Sequence, residues 1–127
     1  MKPRILTVDD SASIRQMIGF TLRRAGYEVA EAIHGQEALS AIVSAPVQLV
    51  ITDLNMPVMD GITLIRTLRA DPQNKFVPIL MLTTESEPGK KQEGRAAGAT
   101  GWILKPFTPE QLVAVVNKVL ARTGSLA

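Results

Sequence analysis

The sequence predicts an α/β fold: a doubly wound, five-stranded parallel sheet with helices on both faces. Three observations predict it. Short apolar runs alternate with stretches of helical spacing along the whole chain. Two of those runs, residues 47–52 and 77–82, are almost wholly apolar, as strands covered on both faces require. Strict strand–helix alternation favours parallel strands joined by right-handed crossovers.

The first strand is Arg4–Val8. Ile14, Met17, Ile18, Thr21, Leu22 and Ala25 then recur at helical spacing, and Gly26 stops that helix. Residues 27–30 form a short second strand. Ala38, Leu39, Ile42 and Val43 mark the second helix, closed by Pro46. Residues 47–52 are the central strand. Residues 61–69 form the third helix, with Ile62, Ile65 and Leu68 inward, followed by a polar loop over 71–75. Residues 77–82 are the fourth strand, Pro88–Ala97 a helix ended by Gly98, and 101–104 the fifth strand. The last helix is the clearest. Thr108 caps it, Pro109 suits its first turn and Gln111 completes a capping box. Leu112, Val115, Val116, Val119 and Leu120 form its apolar stripe. Residues 123–127 are small or polar and are expected to fray.

A chain of 127 residues fits one domain, 1–127, with a core that needs no staples. A hydrophobic content of 46% argues against disorder, and the absence of cysteine excludes disulfides and thiolate metal sites. The apolar stretch after Met1-Lys2-Pro3-Arg4 is too short for a signal peptide, and no run is long enough to span a bilayer. The expectation is a cytoplasmic protein with no membrane partner. Fourteen basic and twelve acidic residues leave a net charge of +2. The densest basic cluster, Lys90-Lys91 with Arg95, is too modest for nucleic-acid binding. It reads as a solvated helix face, or as a means of steering an acidic partner.

In open parallel sheets, ligands bind beyond the carboxyl ends of the strands. Here the first strand ends in Asp9-Asp10, the third in Asp53, the fourth in Thr83-Thr84 and the fifth at Lys105. Glu31 is expected further out. If the first and third strands are neighbours, their carboxylates lie about 5 Å apart and repel by roughly 3 kcal/mol per pair at an effective dielectric near 20. A proton, Lys105 or a bound cation relieves this. Carboxylate and carbonyl oxygens without His or Cys suit Mg²⁺ or Ca²⁺, and few direct carboxylates suit Mg²⁺. A carboxylate is also a nucleophile toward phosphorus. Asp53, ending the central strand, is the best candidate. Lys105 and the Thr83 hydroxyl are placed to stabilise a transferring phosphoryl group. Without the other residues, Asp9-Asp10 would read simply as a helix cap.

Val8-Asp9-Asp10-Ser11, Thr52-Asp53-Leu54-Asn55-Met56-Pro57 with Met59-Asp60-Gly61, Leu82-Thr83-Thr84 and Lys105-Pro106-Phe107 resemble the receiver domains of two-component response regulators. Order, spacing and strand-end placement all match across essentially the whole chain. The stretch 97–107 is most similar to the single-domain, CheY-like chemotaxis group. The resemblance implies a flavodoxin-like strand order, 2-1-3-4-5, and no output domain. It implies that Asp53 is phosphorylated, that Asp10 binds Mg²⁺ directly and Asp9 through water, and that the backbone carbonyl of Asn55 is the third protein ligand. Thr83 matches the switch hydroxyl, Lys105 the phosphate-binding lysine and Trp102 the aromatic switch position. Lys105-Pro106 matches a cis bond. Asn55 and Glu85 match the positions that tune dephosphorylation. The implied partners are a CheA-like histidine kinase as phosphodonor, the flagellar motor switch protein or another downstream target, and a phosphatase. The implied protein is a monomeric switch, not a turnover enzyme.

Rival readings remain open on the residues alone. Haloacid-dehalogenase phosphatases share a strand-end aspartate and Mg²⁺, but need a second Asp where Asn55 stands. A nucleotide or flavin binder lacks its Gly-rich loop after the first strand. A phosphate sink or relay receiver would share every motif. His34 is expected in a strand–helix turn with no special part, and Met56 and Met59 to pack the acceptor loop.

Overall fold

The computed structural model describes residues 2–84 and 88–122. Glu85 and the tail expected to fray lie outside the described residues.

Ten elements alternate: β1 (Arg4–Val8), α1 (Ala12–Arg24), β2 (Glu28–Ala32), α2 (Gly35–Ser44), β3 (Leu49–Asp53), α3 (Gly61–Ala70), β4 (Ile79–Thr84), α4 (Pro88–Ala97), β5 (Gly101–Lys105) and α5 (Pro109–Arg122). All strand pairs are parallel, in the order β2-β1-β3-β4-β5. This is the doubly wound, flavodoxin-like α/β fold that the alternation and the motifs predict.

Strand side chains alternate between two cores. Leu6, Val8, Val50, Ile79 and Met81 pack with Ala38 and Ile42 of α2 and with Ile62, Ile65 and Leu68 of α3. Ile5, Leu49, Ile51, Leu80, Leu82 and Ile103 pack with Ile18 and Leu22 of α1 and with Leu112, Val116 and Leu120 of α5. The central strands β1, β3 and β4 are thus apolar on both faces, which leaves their polar residues to the tips.

Four strands differ in their bounds from the sequence reading, each for a local reason. β2 runs on to Ala32, because Glu31 is compatible with a strand when arginines receive its carboxylate. β3 begins at Leu49, after Gln48 has exchanged hydrogen bonds with the Arg4 backbone. β4 begins after Pro78 and continues through Thr83 and Thr84, which pair with Leu104 and Lys105. Lys105 itself is the last residue of β5.

The starts of α1, α2, α3 and α5 carry side-chain caps, and those of α2 and α5 bear on the sequence reading. His34 is the N-cap of α2: its Nδ1 accepts from Glu37 N–H at 3.1 Å, and Glu37 Oε1 accepts from Ile33 N–H at 3.1 Å. His34 therefore has a structural part that the sequence reading did not give it. The Thr108–Gln111 capping box forms as the spacing predicts, with bonds of 2.9 and 3.1 Å.

Candidate functional site

The carboxyl ends of β1 and β3 lie side by side, since Val8 pairs with Thr52. One residue further on, Asp9 is fully buried. Its N–H donates to the Ala32 carbonyl at 3.0 Å, and its Oδ1 accepts the Ser11 N–H at 2.8 Å. Its buried Oδ2 has no hydrogen-bond partner. The cap of α1 falls to Ser11, whose Oγ accepts from Ile14 N–H, so the acidic pair is not there as the N-cap. Asp10 is exposed.

Asp53, at the tip of β3, is half-buried. Lys105 Nζ donates to its Oδ1 at 3.2 Å. One carboxylate oxygen each from Asp9, Asp10 and Asp53 lies within 4.8 Å of the others. Among the described residues this is the one such cluster of three potential metal-ligating side chains. At that separation two carboxylates repel by about 3 kcal/mol at an effective dielectric near 20, less where Asp10 opens to water. The repulsion registers at Asp9. Burial pushes its carboxyl above the ordinary value of 3.8, and the charges of Asp53 and Asp10 push it further; the Ser11 N–H and Lys105 pull the other way.

The loop from β3 to α3 is folded back against Asp53. Gly61 N–H donates to the Leu54 carbonyl at 3.0 Å. A Cβ on Gly61 would stand 2.3 Å from the Asp53 carbonyl oxygen, so only glycine fits there. Met56 and Met59 pack against the core, as the sequence predicts. Asn55 lies exposed in this loop, immediately beyond Leu54. Val58, also in the loop, holds a φ of 67°, a strained conformation for a β-branched residue. Asp60 closes the loop as the N-cap of α3, accepting the Thr63 N–H at 2.8 Å.

On the far side, Thr83 follows Leu82, which lies opposite Asp53 in the sheet register. Thr83 is 1% exposed and its Oγ1 is buried without a partner. Lys105-Pro106 is a cis peptide bond. Trp102 sits apart from this cluster, beside Met81 in the register, with its ring on the surface between Lys91 Nζ at 5.8 Å and Arg95 Cζ at 5.5 Å. These two cations of α4 are therefore not simply solvated; they cover the indole.

The strand tips thus bring together Asp9, Asp10, Asp53 and Lys105. Hard oxygen donors, one of them an orphaned buried carboxylate oxygen, fit a divalent cation of the Mg²⁺ type. Sequence reasoning missed two neighbours of this pocket. Arg15 donates to the Asp9 carbonyl oxygen at 2.8 Å, and Glu31 holds Arg15 at 3.2 Å. Glu31 stays outside the carboxylate cluster, as expected, but nothing in the sequence marks its contact with Arg15, because that depends on β2 lying beside β1.

The chain matches the response regulator receiver domain family over residues 5–117. Chemotaxis protein CheY1 of Helicobacter pylori is 43% identical over 119 residues, covering 92% of this chain and 96% of that protein. The phosphate regulon transcriptional regulatory protein PhoB of Pseudomonas aeruginosa is 44% identical over 120 residues, but these are 94% of this chain and 52% of PhoB. The chain thus spans about half the length of that relative. The solved structure of chemotaxis response regulator CheY4 of Vibrio cholerae superposes with a TM-score of 0.89 at 52% identity, over 94% of this chain and 100% of CheY4. With its 2-1-3-4-5 sheet and acidic strand tips, the chain belongs to the response regulator receiver domain family.

Proposed function

We propose that this receiver is a phospho-accepting switch whose acceptor is Asp53 and whose donor is the phosphohistidine of a histidine kinase of the CheA type. An Asp53 carboxylate oxygen forms a bond to phosphorus as the donor's N–P bond breaks, and the electron pair of that bond stays on the imidazole nitrogen. The single observation that carries the reading is the Lys105 ammonium on Asp53 Oδ1 at 3.2 Å, facing a three-carboxylate cluster within 4.8 Å. Lys105 stabilises charge on the phosphoryl oxygens. The unpartnered Thr83 hydroxyl gains an acceptor when a phosphoryl group arrives. Asp9, Asp10, Asp53 and the Asn55 backbone carbonyl would hold Mg²⁺, which when bound neutralises the phosphoryl oxygens. Asn55 and Glu85 are the positions from which the lifetime of the acyl phosphate is set.

Output is a population shift. Phosphorylation favours one arrangement of the α4–β5–α5 surface over another, with Thr83 and Trp102 linking the pocket to that surface. The similarity to CheY1 and CheY4 supports chemotaxis, with the flagellar motor switch as target and the cytoplasm as the place of action. Among the described residues no helix is long and apolar enough to cross a membrane. The equally strong match to PhoB supports a second reading, in which the same switch serves a transcriptional regulator.

The test is incubation with acetyl phosphate and Mg²⁺, followed by intact mass. One phosphoryl adduct is expected, absent without Mg²⁺ and absent in Asp53→Asn. A chain that stays unmodified sinks the proposal. Because Trp102 is the sole tryptophan, its emission reports on the surface during the same reaction. Binding of the phosphorylated chain to motor switch protein separates the two outputs.

A further inference from the structure

A small ionic network joins α1 to β2 and ends on the acid pocket. Arg15 donates through Nη1 to the Asp9 carbonyl oxygen at 2.8 Å and through Nε to Glu31 Oε1 at 3.2 Å. Glu31 Oε2 accepts from Arg23 Nη2 at 3.1 Å. The Arg15 and Glu31 side chains are 15% and 27% exposed, so solvent screens their contact less than it would a surface pair. Gly19 leaves room for the network: a Cβ there would meet Arg23 Nη1 at 3.0 Å and Glu31 Oε2 at 3.2 Å. Glu31 immediately precedes Ala32, whose carbonyl accepts the Asp9 N–H. The end of β2 therefore pins the Asp9 backbone twice, once directly and once through Arg15.

The pinning acts against a definite force. Mutual repulsion of the carboxylates drives the β1–α1 connection away from β3, and the planar guanidinium fork resists by holding two acceptors in fixed geometry. We propose that Arg15 and Glu31 are positioning residues that set the divalent-cation affinity of the pocket by clamping the Asp9 backbone against β2. This rests on the reading of the pocket as a cation site.

The clamp and the bare charge of Arg15 have opposite signs. As a cation alone, Arg15 opposes a bound divalent ion, and removing its charge would tighten binding. As a clamp it favours the ion, and removing it loosens binding. The experiment is Mn²⁺ titration of the full chain by electron paramagnetic resonance, with no phosphodonor, alongside melting of the metal-free protein. Arg15→Gln is expected to weaken Mn²⁺ binding about tenfold, as loss of an outer-sphere support commonly does. Arg15→Lys keeps the charge and most of the packing but loses the fork, and is expected to weaken binding in the same direction. Glu31→Gln added to Arg15→Lys should cost little more, because both act along one path. Unchanged or tighter binding in Arg15→Lys overturns the proposal, whatever Arg15→Gln does to folding. If the unsubstituted chain binds no Mn²⁺, the cation-site reading itself has failed, and the two failures are distinct.

Discussion

At the amino ends of the strands, Arg4 meets Glu28 at 2.7 Å, and its backbone N–H donates to Gln48 Oε1 at 2.6 Å. At the carboxyl ends of the same strands, carboxylates from Asp9, Asp10 and Asp53 stand within 4.8 Å of one another. The first end joins opposite charges in the open, where an ion pair contributes roughly 0.5 kcal/mol and serves mainly register. The second end holds like charges together, two of them largely out of water, with Lys105 as the cation in contact. Asp9 Oδ2 and Thr83 Oγ1 are buried there without partners, but so is Arg4 Nε at the first end, so the crowding of like charge is what sets the two ends apart. The difference shows where stability has been given up: the end that binds is the end that folding alone would not build.

Four substitutions sharpen or break this contrast. The largest effect is expected for Gly61→Ala. Its Cβ would overlap the Asp53 carbonyl, and the loop must move, at a cost of about 3 kcal/mol in urea unfolding. A variant that unfolds at the same urea concentration as the unsubstituted chain would mean that the loop is not held against Asp53.

Asp9→Asn comes next, with the opposite sign. Asp9 has a raised pKa, so the folded chain holds its proton more tightly than the unfolded chain does. The resulting penalty is fully present above the folded value and fades as pH falls through it toward the ordinary 3.8. In the absence of divalent ions, Asp9→Asn is therefore expected to stabilise the chain by about 2 kcal/mol at pH 7, with the gain vanishing in acid. Destabilisation at pH 7 would show that the pocket is not electrostatically strained.

Asp60→Ala tests a carboxylate at the same edge whose backbone donor outweighs its burial. The Thr63 N–H, foremost, holds its pKa below 3.8. Its stabilising effect is present above 3.8 and lost as pH falls through the folded value. Loss of this cap is expected to cost about 1 kcal/mol at pH 7 by thermal unfolding, and less in acid. The smallest effect belongs to the opposite end. Glu28→Gln should cost no more than about 0.5 kcal/mol and become undetectable in high salt. A larger loss would mean that the Arg4–Glu28 pair does more than align strands.

Much of this contrast is legible in the sequence. The alternation of apolar runs with helical spacing yields the fold, because both faces of β1, β3 and β4 must be covered. Asp9, Asp10, Asp53 and Lys105 are legible as a group, because each stands where an apolar run stops. Strand ends were harder. Glu31 reads as a break in β2 until Arg15 and Arg23 are known to receive it. The cap at His34 was visible in principle, since Glu37 follows at capping-box spacing, but imidazole is an unusual acceptor in that place. The Arg15–Glu31 contact joins residues whose proximity comes from strand order alone. The partnerless Asp9 Oδ2 and Thr83 Oγ1 are facts of packing, which no spacing encodes.

The central claim is that the crowded carboxylates form a cation site, and calorimetric melting at pH 7 with and without millimolar Mg²⁺ tests it most directly. Mg²⁺ at about ten times its dissociation constant should raise the melting temperature of the unsubstituted chain by about 4 °C. It should leave Asp9→Asn, already relieved of its charge, much less affected. Melting curves that Mg²⁺ does not move, or that it moves equally in both proteins, would contradict the account.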